Sequence, residues 1–451
     1  MLRKIKIALW IILIGLTGLW ILANMPLPDA MTGKAVRDLF IQYSGIIGIG
    51  VMSIAMVLAL RPVWLELILG GLDKSYRLHK WLGVIGLGAS IFHWIAAKAP
   101  HWLSSLGLIE GRRGRGHGDG ANSASDSLNQ VQAFFDGLHG PAKFIGEWAF
   151  YGLVLLIVLA LIKRFPYRLF AKTHTIIAVV YLILVFHTVV LLDFASWTQP
   201  LGIVMGMLLS AGVVSAILVL TRQVGKRRKV EGTIEEQHYF PKMKVLETLI
   251  LLKEGWKGHK SGQFAFVTFD SKEGQHPYTI ASDWDANNPR IMFITKALGD
   301  YTNHLPEKLN IGDKAIVEGP YGCFTFDDNA KRQIWIGGGI GITPFIARMK
   351  HLAHNRASQP IDLFHCTSEL EPDALKKLTA DAAAANVNLH VIIDSRDGQL
   401  TGEKLRTIVP DWKSASVWFC GPVGFGKALH KDFLKNGLPT KNFHQELFGM
   451  R

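Results

Sequence analysis

At 451 residues the chain is long enough for about three domains of ordinary size. Apolar residues make up 49% of it and charged residues 19%, below the roughly 25% of a soluble domain, which excludes a disordered chain and argues against a wholly soluble one. Three cysteines without a C-x-x-C pair exclude a disulfide framework, a thiolate zinc site and a cysteine-held iron–sulfur cluster, and the net charge of +13 flanks apolar runs instead of forming one basic face, so the expected partner is membrane lipid and not nucleic acid.

A span needs about 20 apolar residues. Six runs qualify, at 7–28, 39–60, 81–97, 148–162, 173–192 and 194–221, the third and fourth reaching full length if their helices begin near Arg77 and Pro141, the last starting near Pro200. The first run is expected to be a retained span and not a signal peptide, because no clean small-residue cleavage site follows it. Basic residues precede the first run (Arg3, Lys4, Lys6), separate the second from the third (Arg61, Lys74, Arg77, Lys80) and the fourth from the fifth (Lys163, Arg164, Arg168, Lys172), and follow the sixth (Lys226 to Lys229). Lys and Arg collect in cytoplasmic loops, so both termini are expected in the cytoplasm. The external loop of about 40 residues after the third span dissents, with Arg112, Arg113 and Arg115, but long loops follow the rule less closely.

After Val230 the composition becomes that of a soluble protein. QFAFVTF, RIMFITKA and KAIVEGP, bounded by Gly, Pro and Asp, read as strands of an antiparallel barrel to about Asp327. From Gln333 a buried strand meets a glycine turn and a helix, and DLFHC, LHVIID and VWFCG follow between helical stretches, the order of a parallel sheet of βαβ units. The expected architecture is a membrane all-α six-helix bundle (1–225), then an antiparallel β-barrel (226–328) and an α/β Rossmann-like domain (329–451).

Ionisable residues inside a span are costly and mark function. His79 and His93 sit near the two ends of the third span, His174 and His187 near the two ends of the fifth, about 21 and 20 Å apart along their helices. Each histidine could simply bond a neighbouring helix. Paired spacing on two helices favours metal ligation instead: one imidazole from each helix fills both axial positions of a haem, so His79 with His174 and His93 with His187 are expected to hold two stacked b-type haems. Fourteen residues bring His93 back near the azimuth of His79, but thirteen leave His187 about 140° from His174, so the fifth span is expected to be tilted, tightened or irregular. Gly83, Gly86 and Gly88 either leave room for flat macrocycles or serve close helix packing. Tyr181, midway along the fifth span, reads better as a packing aromatic than as a group between haems.

The pair spacing, with RLHKWLG around the first histidine, resembles the transmembrane domain of ferric reductases and NADPH oxidases. That resemblance implies electron flow from NADPH or NADH through cytoplasmic FAD and two haems to an external acceptor, oxygen in an oxidase or a ferric chelate in an iron reductase, in a multi-pass cell-membrane enzyme. It extends to the soluble half. HPYTIAS is similar to the flavin-contact motif of that family and of ferredoxin–NADP reductases, implying contacts from His276, Pro277, Tyr278, Thr279, Ile280 and Ser282, with Tyr278 stacked on the flavin and Thr279 near its reacting N5. Lys296, Gly299 and Thr302 would lie by the flavin pyrophosphate. GGGIGITPF lacks the third glycine of G-x-G-x-x-G, since Ile342 stands there, but it follows a strand and opens a helix, so Gly337, Gly338, Gly339 and Gly341 are expected at the nucleotide pyrophosphate with Thr343 and Pro344 near the nicotinamide. FCGPVGF puts Cys420, Gly421 and Pro422 beside the nicotinamide. Strand-end packing is the preferred reading of Cys420 over a catalytic thiol. FHQELF resembles the family ending in which an aromatic, here Phe448, covers the flavin. Arg396, Thr367 and Ser368 suit a 2′-phosphate and Glu369 a 2′-hydroxyl. The competing class is a non-redox six-span transporter or sensor with a nucleotide-binding regulatory half; a second alternative lets the soluble half reduce a cytoplasmic acceptor directly.

Overall fold

The computed structural model describes residues 2–26, 30–105, 126–162 and 164–446. The chain forms two compact units: one holds residues 3–62 and 76–224, the other residues 63–75 and 225–450.

The first unit is helical. Its long helices are α1 (Leu2–Ala23), α2 (Gly33–Ala59), then, after the short α3 (Val63–Leu69) of the other unit, α4 (Leu72–Ser105), α5 (Asp126–Leu161), α6 (Tyr167–Leu191) and α7 (Pro200–Leu220). All six long helices are long and apolar enough to cross a membrane. Helix boundaries follow local chemistry: Thr32 caps α2 by accepting the Ala35 N–H, and Pro200 opens α7 where its missing N–H is harmless. Apolar side chains such as Trp10, Ile14, Leu155 and Met207 are exposed, as on a lipid-facing surface, and small residues let helices approach. Gly50 lies under Leu16 of α1, and a Cβ on Gly212 of α7 would overlap the Tyr181 hydroxyl of α6. That hydroxyl is 2.8 Å from Ser53 Oγ on α2, so Tyr181 is a fully buried packing residue tying three helices together. Both α4 and α5 outrun the expected spans. Helix α6 is unbroken, so neither tightening nor interruption reconciles its two histidines, which leaves tilt and side-chain geometry.

The second unit contains two sheets. Strands β1 (Lys229–Phe240), β2 (Val245–Leu252), β3 (Phe264–Thr268), β4 (His276–Thr279), β5 (Arg290–Lys296) and β6 (Lys314–Tyr321) form an antiparallel sheet ordered β4-β3-β6-β1-β2-β5. A bridge between Ile280 and Phe293 joins its two edges and closes the barrel around Ile234, Ile250, Val267, Phe293 and Val317. Between β5 and β6 lie the short helices α8 (Asp300–Asn303) and α9 (Leu305–Lys308). Strands β7 (Arg332–Gly338), β8 (Ile361–Thr367), β9 (Asn388–Ile393), β10 (Ala415–Cys420) and β11 (Phe443–Gln445) make a parallel sheet ordered β11-β10-β7-β8-β9. It is accompanied by α10 (Thr343–His354), α11 (Pro372–Ala384), α12 (Asp394–Asp397), α13 (Gly402–Ile408) and α14 (Val423–Lys435). Strands β7, β8 and β10 are almost wholly buried, as parallel strands covered on both faces must be. Six apolar helices followed by an antiparallel barrel and a parallel α/β fold is the architecture expected from the sequence.

Candidate functional site: two histidine pairs and a nucleotide cleft

In the helical unit the four histidines meet as expected. The His79 and His174 rings have centroids 5.8 Å apart and the His93 and His187 rings 6.3 Å apart. Two imidazoles bonded at about 2.0–2.1 Å to opposite sides of one metal atom place their centroids roughly 6 Å apart, so both pairs fit an axial ligand set. Three of the rings are aimed by backbone carbonyls. His79 Nδ1 donates to Ala55 O, His93 Nδ1 to Ile41 O and His187 Nδ1 to Ala142 O, each at 2.9 Å. A carbonyl only accepts, so Nδ1 carries the proton and the Nε2 lone pair is left for a metal. His174 Nδ1 is buried without a hydrogen-bond partner, and the ring of Phe170 stacks on it at 5.1 Å.

Each accepting carbonyl is followed four residues later, one turn along the same face, by a small residue: Gly45 after Ile41, Ala59 after Ala55, Gly146 after Ala142. At Gly146 the reason is steric. A Cβ on Gly146 would stand 2.0 Å from His187 Nδ1, and one on Gly45 would stand 3.4 Å from His93 Nδ1. Replacing Gly146 with alanine is therefore expected to displace His187 and lower haem retention in the purified protein. A Cβ on Gly83 or Gly88 would meet nothing within 4 Å, while one on Gly86 would press on Met52 and Val51 of α2.

In the other unit HPYT forms β4 against β3, with Tyr278 opposite Ala265 and Thr279 buried opposite Phe264. The His276 ring stacks on Tyr301 at 4.6 Å, and burial pushes the Tyr301 hydroxyl up to about 12. Ser282 is held at the barrel rim by two bonds: its carbonyl accepts from His259 Nε2 at 3.1 Å and its Oγ accepts the Met292 N–H at 3.1 Å. Thr302 Oγ1 accepts the N–H groups of Leu298 and Gly299, shaping the turn after Lys296.

The glycine motif and FCGP lie side by side, because β7 and β10 are parallel neighbours with Gly337 opposite Cys420. A Cβ on Gly341 would come within 2.2 Å of the Cys420 carbonyl oxygen, and one on Gly338 within 2.8 Å of Pro422. Gly339 has φ +56 and open space around it. A cleft of about 430 Å³ runs between barrel and α/β fold, bringing together Lys296, Gly339, His365, Thr367, Ser368 and Glu369. His365, which sequence reasoning passed over, is 2% exposed, and burial pushes its imidazole down to about 4. The Arg396 guanidinium is exposed and paired with Asp397 at 2.9 Å, and Cys420 is completely buried, where burial raises its thiol well above the ordinary range and keeps it protonated. Phe448 lies outside the described residues, as do Arg112, Arg113, Arg115 and His117.

Sequence reasoning also missed a buried charged group in this unit. Lys74, read as a loop cation, is 2% exposed, 2.6 Å from Asp73 and bonded to the Gln445 carbonyl at 3.3 Å. Glu66 is buried and accepts the Gly322 N–H. Burial pushes the neighbouring Glu446 carboxyl up to about 8, Asp73 adding to the shift and Lys74 opposing it. An unfolded glutamate ionises near 4.3, so Glu446 favours the fold fully below that pH and loses this contribution as pH rises to about 8. Thermal unfolding of the full chain, followed from pH 5 to 8, should show stability falling with pH, and Glu446→Gln should flatten that slope.

Residues 44–185 match the family described as ferric reductase like transmembrane component, a span that holds His79, His93 and His174 and ends two residues before His187. The chain is similar to flavohemoprotein A of Dictyostelium discoideum, 27% identical over 155 residues, 34% of this chain and 39% of that protein. It is also similar to the glycine betaine monooxygenase reductase subunit of Chromohalobacter salexigens, 26% identical over 209 residues, 42% of this chain and 56% of that one. Among solved structures, the flavohem-like FAD/NAD binding domain of nitric oxide dioxygenase from Vibrio cholerae aligns with a TM-score of 0.42 and 17% identity, covering 49% of this chain and 98% of that domain. The chain spans about half the length, or less, of the curated relatives it matches. The chain is thus similar to a ferric reductase like transmembrane component over residues 44–185, and to flavohemoproteins and a monooxygenase reductase subunit over part of its length.

Proposed function

We propose that the chain is a multi-pass membrane NAD(P)H oxidoreductase that carries electrons across the bilayer to an acceptor near the His93/His187 pair. The observation that carries this reading is the pairing of four intramembrane histidines at 5.8 and 6.3 Å, two pairs at opposite ends of the same two helices. His79 with His174, and His93 with His187, would each hold a b-type haem, and the distribution of Lys and Arg supports a cytoplasmic position for both termini and the soluble half. Bound FAD would take one hydride, that is two electrons, and release them singly, and the haems would relay them.

The chain's own residues bind and orient. Tyr278 offers its ring to the flavin, Thr279 a hydroxyl, and the backbone from Ile280 to Ser282 the barrel rim. Lys296 with the Gly299–Thr302 turn supplies positive charge and N–H groups for pyrophosphate. The close approach of Gly338 and Gly341 to the β10 end builds a side-chain-free crest for the nicotinamide nucleotide, flanked by Thr343, Pro344 and Pro422. NADPH or NADH serves as donor; Arg396 meets a 2′-phosphate only by leaving Asp397. Oxygen and a ferric chelate are the acceptors that the family resemblance implies.

The test is NADPH- and NADH-driven reduction of the purified, FAD-supplied protein without oxygen, followed at the haem bands. Reduced bis-histidine b-type bands are expected. Retained flavin reduction with no haem band would overturn the relay.

A further inference from the structure

A cavity of about 370 Å³ lies in the helical unit at the end of α5 and α6 that carries the His93/His187 pair. It is lined by Phe135, Phe194 and Trp197, by the aliphatic residues that continue α6 beyond His187, and by Asp136, His139 and Asp193. Val190, one of those aliphatic residues, is three positions past His187, about 4.5 Å of axial rise. His139 is likewise three positions before Ala142, whose carbonyl aims His187. The cavity therefore begins within about one helical turn of the outer pair.

Its chemistry selects among acceptors. Two carboxylates, Asp136 and Asp193, oppose an anionic ferric chelate. A diatomic gas needs no aromatic-walled space of this size. Apolar and aromatic walls with a few polar groups at one side fit a neutral ring that carries hydrogen-bonding oxygens. The site is also placed at the end of lipid-facing spans, with Phe134, next to Phe135, 66% exposed, so an acceptor dissolved in the bilayer reaches it.

We infer that this cavity binds a quinone, which takes the electrons delivered to the His93/His187 end. The inference rests on the electron-transfer reading above. The balance is one quinone, two electrons passed one at a time and two protons giving one hydroquinone; overall, NAD(P)H, one proton and quinone give NAD(P)⁺ and hydroquinone. His139 Nε2 lies 3.6 Å from Asp136 Oδ1, and this pair, open to the aqueous side, hydrogen-bonds a quinone oxygen and hands protons to it.

The full-length protein, loaded with haem and FAD in detergent, is reduced by dithionite without oxygen, and reoxidation of the haem bands is timed after adding a short-chain benzoquinone, ferric citrate or oxygen. Quinone binding to the oxidised protein is measured separately by calorimetry. Quinone should bind and should reoxidise the haem faster than ferric citrate. Phe135→Ala, removing a stacking face, should weaken binding about tenfold. Leu192→Trp, filling the cavity, should abolish binding, with the haem spectrum and NADPH-driven haem reduction unchanged in both variants. Equal reoxidation in wild type and both variants, or no quinone binding, overturns the quinone site alone. A preparation whose haem cannot be loaded overturns the electron-transfer reading and this inference together. Because dithionite bypasses the donor half, a failure confined to NADPH-driven reduction counts against the donor reading and not against the cavity.

Discussion

Replacing His187 by leucine is expected to remove one of two haem equivalents and to abolish reduction of the external acceptor, while NADPH still reduces the flavin. In the proposed reading His187 would supply one ligand of the outer haem, since its ring faces His93 at 6.3 Å and is aimed by the Ala142 carbonyl. Changes to groups that merely orient a metal ligand cost about 10–100-fold in affinity, so loss of the ligand itself should exceed that. Haem content by pyridine haemochrome and acceptor turnover are the two measurements. His93→Leu should match it. His174→Leu differs in a telling way: the flavin should still accept hydride, but neither haem should be reduced by NADPH, although dithionite still reduces the outer one. Were the soluble half to reduce a cytoplasmic acceptor directly, all three variants would keep wild-type turnover.

The histidine layers were legible because an ionisable side chain in an uncharged run stands out, and because spacings of 14 and 13 residues set two layers about 20 Å apart within a hydrocarbon core of about 30 Å. The supporting shell was not. Ile41 and His93 are 52 residues apart, Ala142 and His187 45, and nothing along the chain announces that a carbonyl and a glycine one turn later will meet a particular ring. In hindsight a small residue at i+4 recurs behind all three accepting carbonyls, a pattern visible only once the helices are paired. Lys74 was misread for a different reason. A sequence reports charge but not burial, and the positive-inside rule counts this lysine with Arg77 and Lys80 although it is sequestered against Asp73 and Gln445. Strands β5 to β10 were plain from apolar runs between turn residues, whereas β1 carries Glu231, Glu235 and Glu236 on faces that remain partly exposed, which conceals a long strand.

The nucleotide crest supports the second large effect, and here two glycines of one motif should behave differently. Gly341→Ala is expected to raise the KM for NAD(P)H by one to two orders of magnitude, because its Cβ would sit 2.2 Å from the Cys420 carbonyl oxygen. That neighbour is backbone, fixed by the β7–β10 ladder, so it cannot rotate aside as a side chain does; the two strand ends must part, at a cost of about 1–3 kcal/mol. Separation at that point moves Gly338 away from Pro422 and opens the surface proposed to carry the dinucleotide. Gly339→Ala meets nothing within 4 Å and pays only for its φ of +56, about 1–2 kcal/mol of local strain, which falls on the fold and not on the β7–β10 contact. Its expected signature is a lower melting temperature with a smaller change in KM. In both variants dithionite-driven haem reduction should match the wild type, since the helical unit is untouched. An unchanged KM in Gly341→Ala would mean that the nicotinamide nucleotide does not lie across the β7–β10 crest.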